Sequence, residues 1–156
     1  FYKPTKITVI TNFESIVSKS LSIIQDSFIS DEIELAFSYN SSEEMELHDN
    51  EMMQVVLNIL KNAQDNFKEK QTKNPKITIS TDTKSLSVWD NGGGISENVL
   101  KQIFDPYFST KDEKNGTGLG LYMSKIIIEE HHKGTLKAYN KNDGVCFEIQ
   151  LKNANV

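Results

Sequence analysis

Asn58 and Asn62 stand four residues apart in a stretch of helical periodicity, so they project from one face about a turn apart. A side-chain amide oxygen is a hard ligand of the kind Mg²⁺ accepts. The plainer reading is a pair of surface or capping asparagines, in a chain rich in that residue. Further along, Asp90-Asn91-Gly92-Gly93-Gly94-Ile95 sets an acid at the end of an alternating segment. The three glycines after it let the backbone take positive φ and approach a flat ligand closely. An ionised Asp90 is an acceptor suited to the exocyclic amine of a purine, although the cluster also reads as a flexible turn.

Gly116-Thr117-Gly118-Leu119-Gly120-Leu121 comes just before a helical stretch. Residues without Cβ expose successive amides there, and the helix N-terminus favours negative charge. The segment lacks the Gly-Lys-Ser or Gly-Lys-Thr of a P-loop, and no βαβ unit surrounds it as a dinucleotide fingerprint requires. Between the glycine clusters lies Phe104-Asp105-Pro106-Tyr107-Phe108-Ser109-Thr110-Lys111, followed by the polar run Asp112 to Asn115. Aromatics flanking a polar loop suggest a lid, and Phe104 and Phe108 can equally serve as core anchors.

The elements that must position these residues follow from hydrophobic period. Phe13, Ile16, Val17, Leu21, Ile24 and Phe28 form one face of a helix capped by Asn12, and Ile33, Leu35 and Phe37 alternate as a strand. Met52, Val55, Val56, Leu57, Ile59, Leu60 and Ala63 form the apolar stripe of a longer helix over 51–67, which also carries the two asparagines. Residues 76–81 and 85–90 read as a hairpin, 96–103 as a short helix, 118–132 as a further helix, and 136–139 with 145–151 as a closing hairpin around Lys141 to Gly144. Helices are too few and hairpins too many for a doubly wound sheet. The expectation is a two-layer α/β sandwich: a mixed, mostly antiparallel sheet of about five strands, about three main helices on one face, and a lid.

Composition bounds the function. A chain of 156 residues fits one domain, which buries roughly two thirds of its unfolded surface without disulfides. Residues 1–11, with Lys3, Pro4 and Lys6, read as a linker remnant and not as a signal peptide, 12–151 as the domain and 152–156 as a tail. No apolar run nears the length of about 20 residues needed to cross a bilayer. The lone Cys146 makes no internal disulfide and reads as a packed thiol, which fits a reducing, cytoplasmic setting. Net charge is -5 and all 17 basic residues are lysine, so no guanidinium clamp on a phosphate is possible within the chain. Backbone amides, lysines, metal or a partner must hold any phosphate. The lysines form no stripe interleaved with aromatics, which argues against a nucleic-acid ligand.

Taken in order, the four segments resemble the GHKL ATP-binding family, in its histidine-kinase branch. Glu51 to Ala63 is similar to the N box, Asp90 to Ile95 to the first glycine box, Phe104 to Lys111 to the F box, and Gly116 to Leu121 to the second glycine box. The resemblance covers about Asn12 to Leu151. It implies that Asn62, with Asn58, holds Mg²⁺ bridging the phosphates of ATP, and that Asp90 fixes adenine in a pocket shaped by Gly92, Gly94 and Ile95. It also implies that Phe104, Thr110, Gly116, Thr117, Gly118, Leu119 and Gly120 border the nucleotide, while Lys111 meets the terminal phosphate. Implied partners are the dimerisation and phosphoacceptor domain of the same parent kinase and a downstream response regulator, the isolated domain itself being expected as a monomer.

Hydrolase members of the family carry glutamate where Asn58 stands. An amide accepts no proton from water, so the resemblance favours transfer to an activated acceptor over hydrolysis. An ATP hydrolase, a serine-kinase module and a non-catalytic nucleotide-binding regulator are the alternatives. Lys133 stands where the family usually has glycine, which costs about 1 kcal/mol if the residue is left-handed. The phosphoacceptor histidine is not expected among His48, His131 and His132, nor is Glu51 expected to act chemically. Trp89, beside Asp90 on a strand, is expected on the opposite sheet face, where an open surface would offer a docking site.

Overall fold

The structure is a computed structural model that describes residues 7–108 and 119–152. The helix read from Asn12 onward is α1, Phe13–Ser30, and the Asn12 side chain accepts from the Ser15 amide at 2.8 Å as an N-cap. The longer helix is α2, Asp49–Lys70, and the short one is α3, Glu97–Leu100, a single turn capped by Ser96. The last helix begins as α4, Gly120–Ile126, and widens into a π-helical turn, Ile127–His131. That widening was not legible in the apolar period, which a single inserted residue barely disturbs.

Five strands make the main sheet: β2 (Glu34–Tyr39), β4 (Lys76–Asp82), β5 (Ser85–Asp90), β6 (Thr135–Lys141) and β7 (Gly144–Gln150). Their order is β2-β4-β5-β7-β6, with β2 parallel to β4 and every other neighbour antiparallel. This is the expected mixed, mostly antiparallel sheet. Two short strands were not expected. Val9–Thr11 (β1) and Met45–Leu47 (β3) pair antiparallel as a separate ribbon, so residues read above as part of a linker lie in ordered structure. Three residues are too few to display an alternation.

α1, α2 and α4 cover one face of the sheet. Ile77, Ile79, Leu86, Val88, Phe147 and Ile149 of the strands meet Ile16, Val17, Met52, Val55, Val56, Ile59 and Leu60 of the helices in one core. Alternation along β5 follows from this single-sided cover, since Leu86, Val88 and Asp90 turn inward while Ser85, Ser87 and Trp89 turn to the other face. Asp90 is therefore carried into the space between the layers by the same period that buries Val88. Both hairpins use two-residue turns with left-handed residues, Lys84 (φ 54) in the first and Asn142 (φ 47) with Asp143 (φ 59) in the second. Lys133 is left-handed as well, at φ 57, which meets the condition set for its cost.

Candidate functional site

Along α2 the residues Asn58, Asn62, Asn66 and Lys70 recur every four positions, a row of polar side chains beside the helix's apolar stripe. The first of them reaches α4: Asn58 Nδ2 donates to the Gly120 carbonyl at 3.2 Å and to Ser124 Oγ at 3.1 Å. The last two reach the glycine loop after β5. Asn66 Nδ2 donates to the Gly92 carbonyl at 3.1 Å and Lys70 Nζ to the Gly94 carbonyl at 2.9 Å. Asn62 lies between them, half-buried. One helix thus carries the expected metal-binding amides and braces both glycine segments.

Asp90 is 6% exposed, and its Oδ1 accepts from the Gly92 amide at 2.9 Å. Burial pushes its carboxyl pKa up, against the opposing pull of the Gly92 amide, the Lys70 charge and the Val145 amide. The Gly92 amide closes a turn at the strand end. Gly92 is tightly fitted, since an added Cβ would lie 2.5 Å from Asn66 Nδ2, and Gly93 takes φ 86, a conformation that suits only glycine. From the other side the β6–β7 turn holds the same loop. The Gly93 amide donates to the Asp143 carbonyl at 2.8 Å, and Asn140 exchanges two 2.7 Å hydrogen bonds with the backbone of Ile95.

Phe104 meets Phe147 of β7 edge-on, with ring centroids 6.3 Å apart, and Lys125 Nζ of α4 lies 5.0 Å from the Phe104 ring centroid. Its contacts make Phe104 a core anchor for the segment that follows α3. Leu119 immediately precedes α4 and Gly120 opens it. Thr110, Lys111, Gly116, Thr117 and Gly118 lie outside the described residues.

The donor set suits Mg²⁺. Asn58 commits its amide hydrogens to Gly120 and Ser124, and its oxygen has no hydrogen bond among the described residues. Among the described residues no three His, Cys, Asp or Glu side chains converge as metal ligands. The histidines sit elsewhere. His131 Nδ1 lies 3.1 Å from the Glu51 carboxylate, which is itself 4% exposed. His132 Nε2 accepts from the His48 amide at 3.2 Å, and its Nδ1 donates to the Ile127 carbonyl at 2.9 Å. These contacts join Glu51 to His131 and His48 to His132.

Trp89 is half-buried on the outer sheet face, and its Nε1 donates to the Lys141 carbonyl at 2.8 Å, so it too holds the β6–β7 turn. Cys146 is buried and burial pushes its thiol pKa up, in keeping with packing. Sequence reasoning missed Asn66, Lys70, Ser124 and Asn140. For Asn66 and Lys70 the signal was present, as continuation of the four-residue spacing from Asn58 and Asn62. For Asn140 there was none, because its partner is 45 residues away.

Residues 48–155 match the family described as histidine kinase-, DNA gyrase B-, and HSP90-like ATPases. Sensor histidine kinase ZraS of Salmonella typhimurium is 35% identical over 96% of this chain, which covers 32% of that protein. Sporulation kinase E of Bacillus subtilis is 37% identical over 65% of the chain and 14% of its own length. The chain therefore spans about a third or less of these relatives. Among solved structures, the catalytic domain of histidine kinase ThkA in a nucleotide-free form superposes with a TM-score of 0.80 at 27% identity, covering 93% of this chain and 95% of that one. The fold also matches ThkA solved in complex with the response regulator TrrA, at a TM-score of 0.76 and 24% identity over 92% of this chain and 41% of that one.

Proposed function

The chain belongs to the histidine kinase-, DNA gyrase B-, and HSP90-like ATPase family, and from that premise we propose that it binds Mg·ATP and presents the γ-phosphoryl group to a histidine on a separate dimerisation domain. The observation that carries this reading is the buried Asp90 carboxylate, held at the edge of a glycine loop beside the asparagine row of α2. Asp90 accepts the exocyclic amine of adenine with its carboxylate. Gly92, Gly94 and Ile95 shape the wall beside the base. Asn58 and Asn62 supply neutral oxygens on the phosphate side, where they would hold Mg²⁺. When bound, the ion neutralises charge across the phosphate oxygens.

Asn58 also sets the reaction type. Its amide has no basic lone pair to take a proton from water and is tied to Gly120 and Ser124, so nothing at this position promotes hydrolysis. Catalysis then consists of positioning, with the nucleophile supplied in trans by the phosphoacceptor histidine. Lys111, in the absence of any arginine, is assigned to the terminal phosphate. The likeness to ThkA, solved with a response regulator, supports such a regulator as the downstream partner. No described helix is long and apolar enough to cross a membrane, and the domain is assigned to the cytoplasm.

Calorimetric titration with ADP or a non-hydrolysable ATP analogue, with and without Mg²⁺, tests the reading. Metal-dependent binding that disappears in Asp90→Asn and weakens in Asn62→Ala is the expected result. A folded chain that binds neither nucleotide would overturn the assignment.

A further inference from the structure

Six of the eight polar backbone groups from Gly92 to Ile95 have a partner inside the protein, and the partners come from three directions. Asp90 takes the Gly92 amide, Asn66 and Lys70 take the Gly92 and Gly94 carbonyls, and the Asp143 carbonyl takes the Gly93 amide. Both groups of Ile95 go to a single side chain. Asn140 Oδ1 accepts from the Ile95 amide and Asn140 Nδ2 donates to the Ile95 carbonyl, each at 2.7 Å. A side-chain amide used this way makes the pair of bonds that a neighbouring strand would offer, so the loop is joined to the sheet without a strand of its own.

The fit is steric as well. A Cβ on Gly94 would lie 2.8 Å from Asn140 Oδ1, so Gly94 and Asn140 occupy one continuous surface. Asn140 is itself fixed, lying opposite Val145 in the β6–β7 register two residues before the two-residue turn. From the outer sheet face, Trp89 Nε1 holds the adjoining Lys141 carbonyl. The turn that carries Asn140 is therefore anchored to the strand that carries Asp90, and Gly94 and Ile95 are referred to Asp90 through it.

We propose that Asn140 is a positioning residue for base recognition, setting Gly94 and Ile95 at the distance from Asp90 that an adenine ring requires. This rests on the reading of Asp90 as the adenine acceptor. Asn140 touches the loop and not the phosphates, so its loss weakens recognition of the base and spares recognition of the phosphate chain.

The test uses the whole chain as wild type, Asn140→Ala and Asn140→Asp. Ligands are Mg·ADP and Mg·tripolyphosphate, and amide hydrogen exchange at Gly93 and Ile95 is read without ligand. Asn140 is exposed, and Asn140→Asp keeps the acceptor for the Ile95 amide should the alanine variant unfold. The inference predicts faster exchange at Ile95, an ADP affinity about tenfold weaker in Asn140→Ala, as follows from losing two hydrogen bonds, and tripolyphosphate affinity unchanged. Parallel loss of both ligands in folded variants, or ADP affinity in Asn140→Ala equal to wild type, overturns it. Wild-type chain that fails to bind ADP removes the adenine reading and this inference together, an outcome distinct from either.

Discussion

Asn58 on α2 and Ser124 on α4 are joined by a 3.1 Å hydrogen bond, in which the asparagine amide donates to the serine hydroxyl. That hydroxyl in turn donates to the Gly120 carbonyl at 2.8 Å, which also receives the second donation from Asn58. The three groups form a closed triangle that fixes which atom of Asn58 faces outward. Ser124 is fully buried, while Asn58 and Gly120 are half-buried. Ser124→Ala removes one corner while Gly120 keeps its bond to Asn58. It is expected to cost about 1 kcal/mol in denaturant unfolding, and to weaken Mg·ADP several-fold more than metal-free ADP in calorimetry.

Asp90→Asn separates stability from binding. Burial makes the folded carboxyl hold its proton more tightly than the unfolded one, whose value is 3.8. Ionisation therefore costs stability, and the cost grows as pH rises through the raised folded value. Asparagine carries no such cost and can still accept from the Gly92 amide. The variant is expected to melt no lower than wild type at pH 7, with its advantage shrinking toward pH 3. It should bind adenine nucleotide at least about tenfold more weakly, as expected from losing a charged hydrogen bond. Thermal melts across pH, paired with titrations, check both halves.

Two glycines of the site fail for different reasons when replaced by alanine. A Cβ on Gly144 would overlap the carbonyl oxygen of Asp90, a backbone atom held in the β5–β7 pairing that cannot yield. Gly144→Ala is expected to lose about 3 kcal/mol or more in chemical denaturation. A Cβ on Gly92 comes closest to the end of the Asn66 side chain, which can rotate away by giving up its bond to the Gly92 carbonyl, and presses more lightly on Asp90 Oδ1 at 3.1 Å and Phe67 Cδ1 at 3.2 Å. Gly92→Ala is expected to lose about 1 kcal/mol and to impair nucleotide binding out of proportion to that loss.

Acid lowers the stability of the fold through His132. Burial holds its pKa below the ordinary 6.5, with the charges of His48 and His131 acting in the same direction and the Ile127 carbonyl and Glu51 opposing. Between the folded value and 6.5 the unfolded chain binds more protons, so stability rises with pH across that window and falls as pH drops below 6.5. Protonation also removes the Nε2 lone pair that accepts from the His48 amide. Melting temperatures from pH 7 to 5 are expected to fall more steeply for wild type than for His132→Gln.

Much of this arrangement could be read from the chain because it is local. The apolar periods of α1, α2 and β5, the Asn12 cap and the turn at Lys141 to Gly144 are properties of neighbouring residues, and each recurs in the structure. The left-handed Lys133 stands where the family usually has glycine, and that comparison had named the condition it meets. What could not be read joins distant parts. The β1–β3 ribbon pairs residues about 36 positions apart, and Asn140 meets Ile95 across 45. No local pattern encodes such contacts, and an asparagine before a turn has every local reason to be there. Trp89 shows the converse. Its face was deduced correctly from alternation, but its bond to Lys141 gives it work inside the fold whether or not a partner docks there.

The bracing of residues 92–95 has a consequence for the speed of nucleotide capture. A loop whose amides and carbonyls are already engaged has little left to order when a base arrives, so it adds no slow phase of its own. Association monitored at this loop should proceed in one step, at a rate that climbs in proportion to nucleotide concentration. Any plateau in that rate then reports on a rearrangement in some other part of the chain.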